Sequence, residues 1–363
     1  MLRLEVRPQP SRLMSLLSPL LALALTLLIG AALFAWLGKD PLRGLQLFFV
    51  EPLHNLYALS ELLVKATPLV IIALGLAVCF RSNVWNIGAE GQFVIGALAA
   101  GWVAMQAGPG SAWLGRGIVV PILAAGVLGG MAWAAIVALL RDRFHANEIL
   151  VSLMLVYVAE MLLGYLVYGP WKDPQGYNFP QTITFLPVTR VPRLAPPLRA
   201  HIGSLLALLG VGALWLFLFR TYRGFALQVG GLAPLAARYA GFSSRHAVWT
   251  ALLVSGGMAG LAGALEAAGP LGQLTPYVPA GYGFAAIIVA YVGRLHPVGI
   301  VLSGLLMSMF YIGGELAQSR LGMPKALTGV FQGLLLFALL ACDTLILYRL
   351  RWRRAAGAAP HMP

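Results

Sequence analysis

Nine stretches of about 20 residues, near 19–37, 62–80, 86–106, 117–140, 148–168, 201–219, 247–268, 298–316 and 327–347, are almost wholly apolar. A helix rises 1.5 Å per residue, so each stretch can cross a hydrocarbon core of about 30 Å. A shorter piece, 283–293, ends at Gly293–Arg294 and is followed by Pro297. It is either a tenth, short span or half of a broken one. The expected fold is therefore all-α: a polytopic membrane helix bundle of about ten transmembrane helices, forming a single domain over 1–363.

Composition agrees. Only 10% of the residues are charged and 60% are hydrophobic, whereas a soluble domain carries about 25% charge. Such a chain cannot cover a water-facing surface. Cys79 and Cys342 are the two cysteines, and the six histidines lie far apart. Neither set offers a disulfide framework or a metal site.

The net charge of +13 raises nucleic acid as a partner, but the arginines cluster in short loops beside apolar runs. With ten crossings both termini fall on one side. That side holds 15 of the 25 basic residues, among them Arg81, Arg141, Arg143, Arg220, Arg223, Arg238, Arg245, Arg294, Arg353 and Arg354. The bias marks it as cytoplasmic, and no nucleic acid is expected. The basic N-terminus and its long apolar run, with Trp36 near the end, read as an uncleaved first helix rather than a signal peptide. Segment 169–200, rich in proline and aromatics, reads as an outer loop.

Chemistry is absent. No lysine is followed by Ser or Thr, so the phosphate-cradling G-x-x-x-x-G-K-[ST] loop cannot form, and neither H-E-x-x-H nor G-x-S-x-G occurs. No catalytic residue and no cofactor bound by this chain are expected. Pumping would take its energy from an ion gradient or from another subunit.

Small residues recur at four-residue spacing: Gly126, Gly130, Ala134 and Ala138 in one run, Gly256, Gly260, Ala264 and Ala268 in another. In lipid, helices associate through such close-approach stripes. They predict tight helix packing and leave function open.

One stretch breaks the apolar pattern. "SNVWNIGAEGQFVIG", residues 82–96, places Asn86, Gly88, Glu90, Gly91 and Gln92 together. A charge in mid-bilayer costs at least about 2.5 kcal/mol. One reading is a broken helix start beside a translocation path. The other is an interfacial carboxylate satisfied by backbone N–H groups at a helix N-terminus. Glu160 and Glu266 raise the same question.

Between about 220 and 246 runs "RTYRGFALQVGGLAPLAARYAGFSSRH", long and charged enough to lie in water. Pro234 suits a first helical turn and Gly241 suits a stop. Leu235 and Tyr239 then share one face, Ala236 and Ala237 keep the helix slim, and Arg238 adds a charge. Such a helix is shaped to plug into a partner's groove.

Three stretches, "NVWNIGAEGQFVIGALAAG", "GLAPLAARYAGFSSRHAVWTALLVSGGMAGLAGALEAAG" and "GYGFAAIIVAYVGRLHPVGIVLSGLLMSMF", resemble membrane permeases of ATP-binding cassette importers, in the branch that takes up simple sugars and nucleosides. The resemblance covers roughly 60–345. The "NIGAEGQ" wording is most similar to nucleoside permeases. It implies that Pro234, Leu235, Ala236, Ala237, Arg238, Tyr239, Ala240 and Gly241 form the coupling helix that docks on a separate ATPase. It also implies that Asn86, Gly88, Glu90, Gly91 and Gln92 form the family's polar turn, at the translocation path or the helix start. The implied partners are an ATP-binding cassette ATPase, which uses the ATP, a second permease subunit, related or identical, an extracytoplasmic solute-binding protein, and membrane lipid. The implied setting is a bacterial cytoplasmic membrane, and the implied mechanism is alternating access. The rival expectations are an ion-coupled carrier using Glu90 or Glu160, and a passive channel.

Overall fold

A computed structural model describes residues 2–9, 11–107 and 117–352. Arg353 and Arg354, counted above with the inner arginines, lie outside the described residues. Among those described, the helices are α1 (Arg12–Trp36), α2 (Pro41–Phe49), α3 (Leu56–Arg81), α4 (Ala89–Gln106), α5 (Val119–Phe144), α6 (Glu148–Tyr168), α7 (Ile202–Arg220), α8 (Tyr222–Leu232), α9 (Pro234–Tyr239), α10 (Ser244–Glu266), α11 (Tyr282–Val292), α12 (Pro297–Leu321) and α13 (Ala326–Leu347). Eight of them are long and apolar enough to cross a membrane. The 18-residue α4 matches another predicted run, and its Glu90 and Gln92 make it less apolar. The protein is a polytopic α-helical membrane protein.

The chain divides into two compact units, residues 52–312 and residues 1–51 with 313–363. In the second of these, α1 packs along α13, and Phe34, Phe48 and Phe331 meet with ring centroids 4.6–6.1 Å apart. Ser18 Oγ donates to Asp343 Oδ1 at 2.7 Å. One feature is absent from the sequence reading: β1 (Leu2–Val6) pairs antiparallel with β2 (Tyr348–Trp352), in the register Leu2↔Trp352 to Val6↔Tyr348. Neither five-residue segment signals a strand alone, because each is completed by a partner more than 340 residues away.

In the 52–312 unit, α3 is buried on nearly every face, as an all-round apolar helix must be. The helices α4, α5 and α10 cross where glycines face one another. A Cβ on Gly130 would overlap the Gly256 carbonyl, one on Gly260 the Gly126 carbonyl, and one on Gly96 the Gly260 Cα. The obstacle is backbone in each case, so no rotamer change relieves it. Gly260→Ala should therefore destabilise the protein by about 3 kcal/mol or more. Gly212→Ala on α7, where a Cβ meets nothing within 4 Å, should be neutral or slightly stabilising. Thermal unfolding of the two variants in detergent compares identical chemistry in opposite surroundings.

The short apolar piece is an 11-residue helix entered from irregular chain. Helix α10 continues through a π-helical turn, Ala267–Leu271, containing Pro270, whose missing N–H cannot sustain regular helix. Residues 182–191 lie against this end, with Thr182 N donating to Leu274 O at 3.0 Å and Val191 N to Ala268 O at 2.8 Å. Irregular chain, with a turn closed by Val278 N donating to Thr275 O, then returns to Gly281, which touches the start of α4. From there the 11 residues of α11, about 16 Å of helix, run to the neighbourhood of Arg81.

Candidate functional site

The polar turn is closed by its own side chains. Past Arg81 the chain reverses at Asn83 (φ 54°), runs extended through 84–87 and enters α4 behind Gly88. Asn86 and Gln92 pair their amides reciprocally: Asn86 Nδ2 donates to Gln92 Oε1 at 2.9 Å, and Gln92 Nε2 donates to Asn86 Oδ1 at 3.1 Å. Asn86 Nδ2 also donates to Ser255 Oγ on α10 at 2.9 Å, and its Oδ1 accepts from Gly88 N at 3.1 Å. Asn86 thus fills its donor and acceptor capacity where no water reaches, being fully buried.

Gly88 and Gly91 let α6 approach. A Cβ on Gly88 would lie 2.8 Å from Ser152 Cβ and O, and one on Gly91 2.9 Å from Val156 Cα. Ser152 Oγ accepts from Ile87 N at 3.3 Å.

Glu90 is buried to 1% exposure and reaches another helix. Its Oε1 accepts from Gly281 N at 2.9 Å, and its Oε2 accepts from Gly283 N. Helix α11 starts at a left-handed Gly281 (φ 77°) with no local side-chain cap, so its first N–H groups need an acceptor. Glu90 supplies it from a different helix and sets a negative charge at the positive end of the α11 dipole. Gly283 is required there, because a Cβ would overlap the Glu90 backbone. The sequence left two readings of Glu90 open, a broken helix start beside a translocation path or a carboxylate satisfied by backbone N–H groups at a helix N-terminus. The structure commits both its oxygens to the N-terminus of another helix, across a separation of more than 190 residues. Glu266 on α10 is buried and Glu160 on α6 is half-buried.

Sequence reasoning missed Ser152, Gly281 and Gly283, and the bond of Ser255 to Asn86. One signal was present: "AGYGF" opens an apolar run with two glycines and no Ser, Thr, Asp or Asn cap. Such a start implies an acceptor from elsewhere.

The 220–246 segment folds as two helices and the first turn of α10. Thr221 caps α8, its Oγ1 accepting from Gly224 N at 3.0 Å. Pro234 begins α9, and Gly241 (φ 81°) ends it. Gly241 N donates to Arg238 O at 3.1 Å, and Phe242 N reaches back to Ala237 O at 2.9 Å, which is the Schellman ending. Of the eight residues expected to dock, only Ala237 is buried. Leu235 is 77% exposed and Tyr239 95%, on one face four residues apart. Behind the helix lies a cavity of about 680 Å³ whose lining includes Ser82, Asn83, Arg141, Arg238 and Ser243.

Ion pairs secure the same end. Arg245 Nε bonds Asp142 Oδ2 at 2.7 Å, Trp249 Nε1 donates to the same oxygen at 3.2 Å, and Arg141 pairs with Glu148 at 2.8 Å. They clip the end of α5 to the starts of α10 and α6. Among the described residues, no group of three or more His, Cys, Asp or Glu could hold a metal ion.

Comparison with known proteins agrees with this architecture. The family model described as branched-chain amino acid transport system / permease component matches residues 58–340. The glucose ABC transporter permease protein TsgB13 of Haloferax volcanii is 35% identical over 344 residues, 92% of this chain and 89% of that protein. The guanosine ABC transporter permease protein NupP of Bacillus subtilis is 30% identical over 329 residues, 88% of this chain and 91% of that protein. The nucleoside ABC transporter permease protein NupB of Lactococcus lactis is 25% identical over 333 residues, 88% and 89% of the two.

Proposed function

Because this chain belongs to the family of branched-chain amino acid transport system permease components, we propose that it imports a sugar-bearing solute, a nucleoside or a simple sugar, as the permease subunit of an ATP-binding cassette importer in a bacterial cytoplasmic membrane. It is a transport subunit and not an enzyme. The cargo class rests on relatives named for glucose and for guanosine, which share a sugar ring.

The reading of energy input is carried by one observation: α9 is a six-residue helix with Leu235 and Tyr239 almost fully exposed and only Ala237 buried. Apolar side chains so exposed, on a helix fixed at both ends by Pro234 and Gly241, fit a partner's groove. The partner is the ATPase, which binds the ATP that this chain has no motif to hold. A second permease completes the pore and a solute-binding protein delivers the cargo. ATP closure of the partner pushes α9, and the bundle opens to the binding protein. In this reading the polar turn shapes the start of α4 and anchors α11, and it is supported by the hydrogen bonds of Asn86, Glu90 and Gln92.

Reconstitution in liposomes tests the proposal. Together with an ATP-binding cassette ATPase, a second permease and a solute-binding protein, the chain should accumulate radiolabelled nucleoside or sugar only when ATP is present. Uphill accumulation by the chain alone under a pH or sodium difference would replace this reading with an ion-coupled carrier.

A further inference from the structure

Arg81, the last residue of α3, joins three elements that the sequence keeps apart. Its Nε donates to Leu295 O at 2.9 Å, in the turn between α11 and α12. Its Nη1 donates to Gln228 Oε1 on α8 at 3.0 Å. Its guanidinium carbon sits 5.2 Å from the centre of the Phe219 ring at the end of α7, within cation–π range. Two further contacts tighten the α8 side. Gln228 Nε2 donates to Leu218 O at 2.6 Å, and a Cβ on Gly231 would overlap the Arg81 carbonyl oxygen.

The α11 side is held in a costly shape. Arg294 (φ 57°) and Leu295 (φ 52°) are consecutive non-glycine residues in the left-handed region, which such residues keep only where surroundings enforce it. The Arg81 bond to the Leu295 carbonyl is one such enforcement. The ends of α3 and α11 are also bound to each other, since Tyr291 stacks on Phe80 at 5.1 Å and on Trp85 at 6.5 Å.

We propose that Arg81 is the positioning residue through which displacement of α8 and α9 reaches the half-helix α11, and so the Glu90 anchor at its far end. This inference rests on the reading that α9 docks on the ATPase. The fork of the guanidinium suits it: two acceptors on different elements, 67 residues apart between Gln228 and Leu295, are bound at once by one rigid planar group. A lysine offers a point charge that satisfies one acceptor well and cannot hold both in a fixed relation.

The test uses the complete importer in lipid nanodiscs or liposomes, with Arg81→Met, Arg81→Lys and Gln228→Leu. Retention of the ATPase on the permease, ATP hydrolysis and solute taken up per ATP are measured separately. Expected for Arg81→Met is normal retention, continued hydrolysis and a fall in uptake per ATP of about tenfold, the usual size of a coupling between sites. Arg81→Lys should recover part of the loss, and Gln228→Leu, which removes one tether, should fall between Met and wild type. Uptake per ATP within about twofold of wild type for Arg81→Met overturns the proposal. If that variant does not insert, an unchanged ratio in Gln228→Leu overturns it equally. Loss of the ATPase from these variants also overturns it, by making Arg81 a support of the docking surface. Failure of the docking reading shows elsewhere, as an ATPase that stays bound when Leu235 and Tyr239 are changed.

Discussion

Serine at both Leu235 and Tyr239 should lower ATP-driven uptake by roughly two orders of magnitude while the permease still inserts and folds. Each side chain is largely exposed, so its removal costs the isolated permease almost nothing. Buried in a partner's groove, each contributes about 1.5–3 kcal/mol, and losing both weakens association by at least a hundredfold at 1.4 kcal/mol per decade. Co-purification of the ATPase and initial uptake rates should fall together. Gly241→Val should act in the same direction by another route. A Cβ there meets nothing within 4 Å, so the effect comes from the backbone alone, which a β-branched residue adopts at φ 81° only with strain. Wild-type ATPase retention in the double serine variant would remove the docking helix from the mechanism.

Glu90→Ala should destabilise the protein by about 2–6 kcal/mol. It leaves the Gly281 and Gly283 N–H groups buried without their acceptor, each a cost of about 1–3 kcal/mol, and it takes away the charge at the α11 N-terminus. Glu90→Gln should fall between alanine and wild type, because the amide retains one acceptor oxygen and turns a donor NH2 toward the other N–H. Thermal unfolding in detergent gives the order. The same variant separates anchoring from ion coupling. As an anchor, the glutamine variant loses uptake only in proportion to its folded fraction, and transport still depends on ATP. Abolished transport in a fully folded glutamine variant, with proton flux lost alongside it, would make Glu90 a proton carrier instead.

Most of the long helices were legible in the sequence. They begin and end within seven residues of the apolar runs, since length and hydropathy decide what crosses a bilayer. The exceptions share one cause. Residues 82–88 resemble the start of the run 86–106, yet they form an extended return that is stable only because Asn86, Gln92 and Ser255 find one another. Helix α8 was hidden in a loop whose polarity is typical of connectors, and Arg81, through Gln228 and Gly231, holds it in place.

The sequence alone determined that the chain is a set of membrane-crossing helices carrying no phosphate-cradling motif, and that a short helix starts at Pro234. Those properties are local: apolar length, a missing motif, a proline and a glycine at the right offsets. Only the tertiary structure decided that Glu90 serves α11 rather than its own helix, that α11 is entered from irregular chain, and that Arg81 bridges α8 to the 294–295 turn. Hydrogen bonds between residues 147 to 214 positions apart leave no periodic trace, because what selects them is the requirement that every buried polar group find a partner.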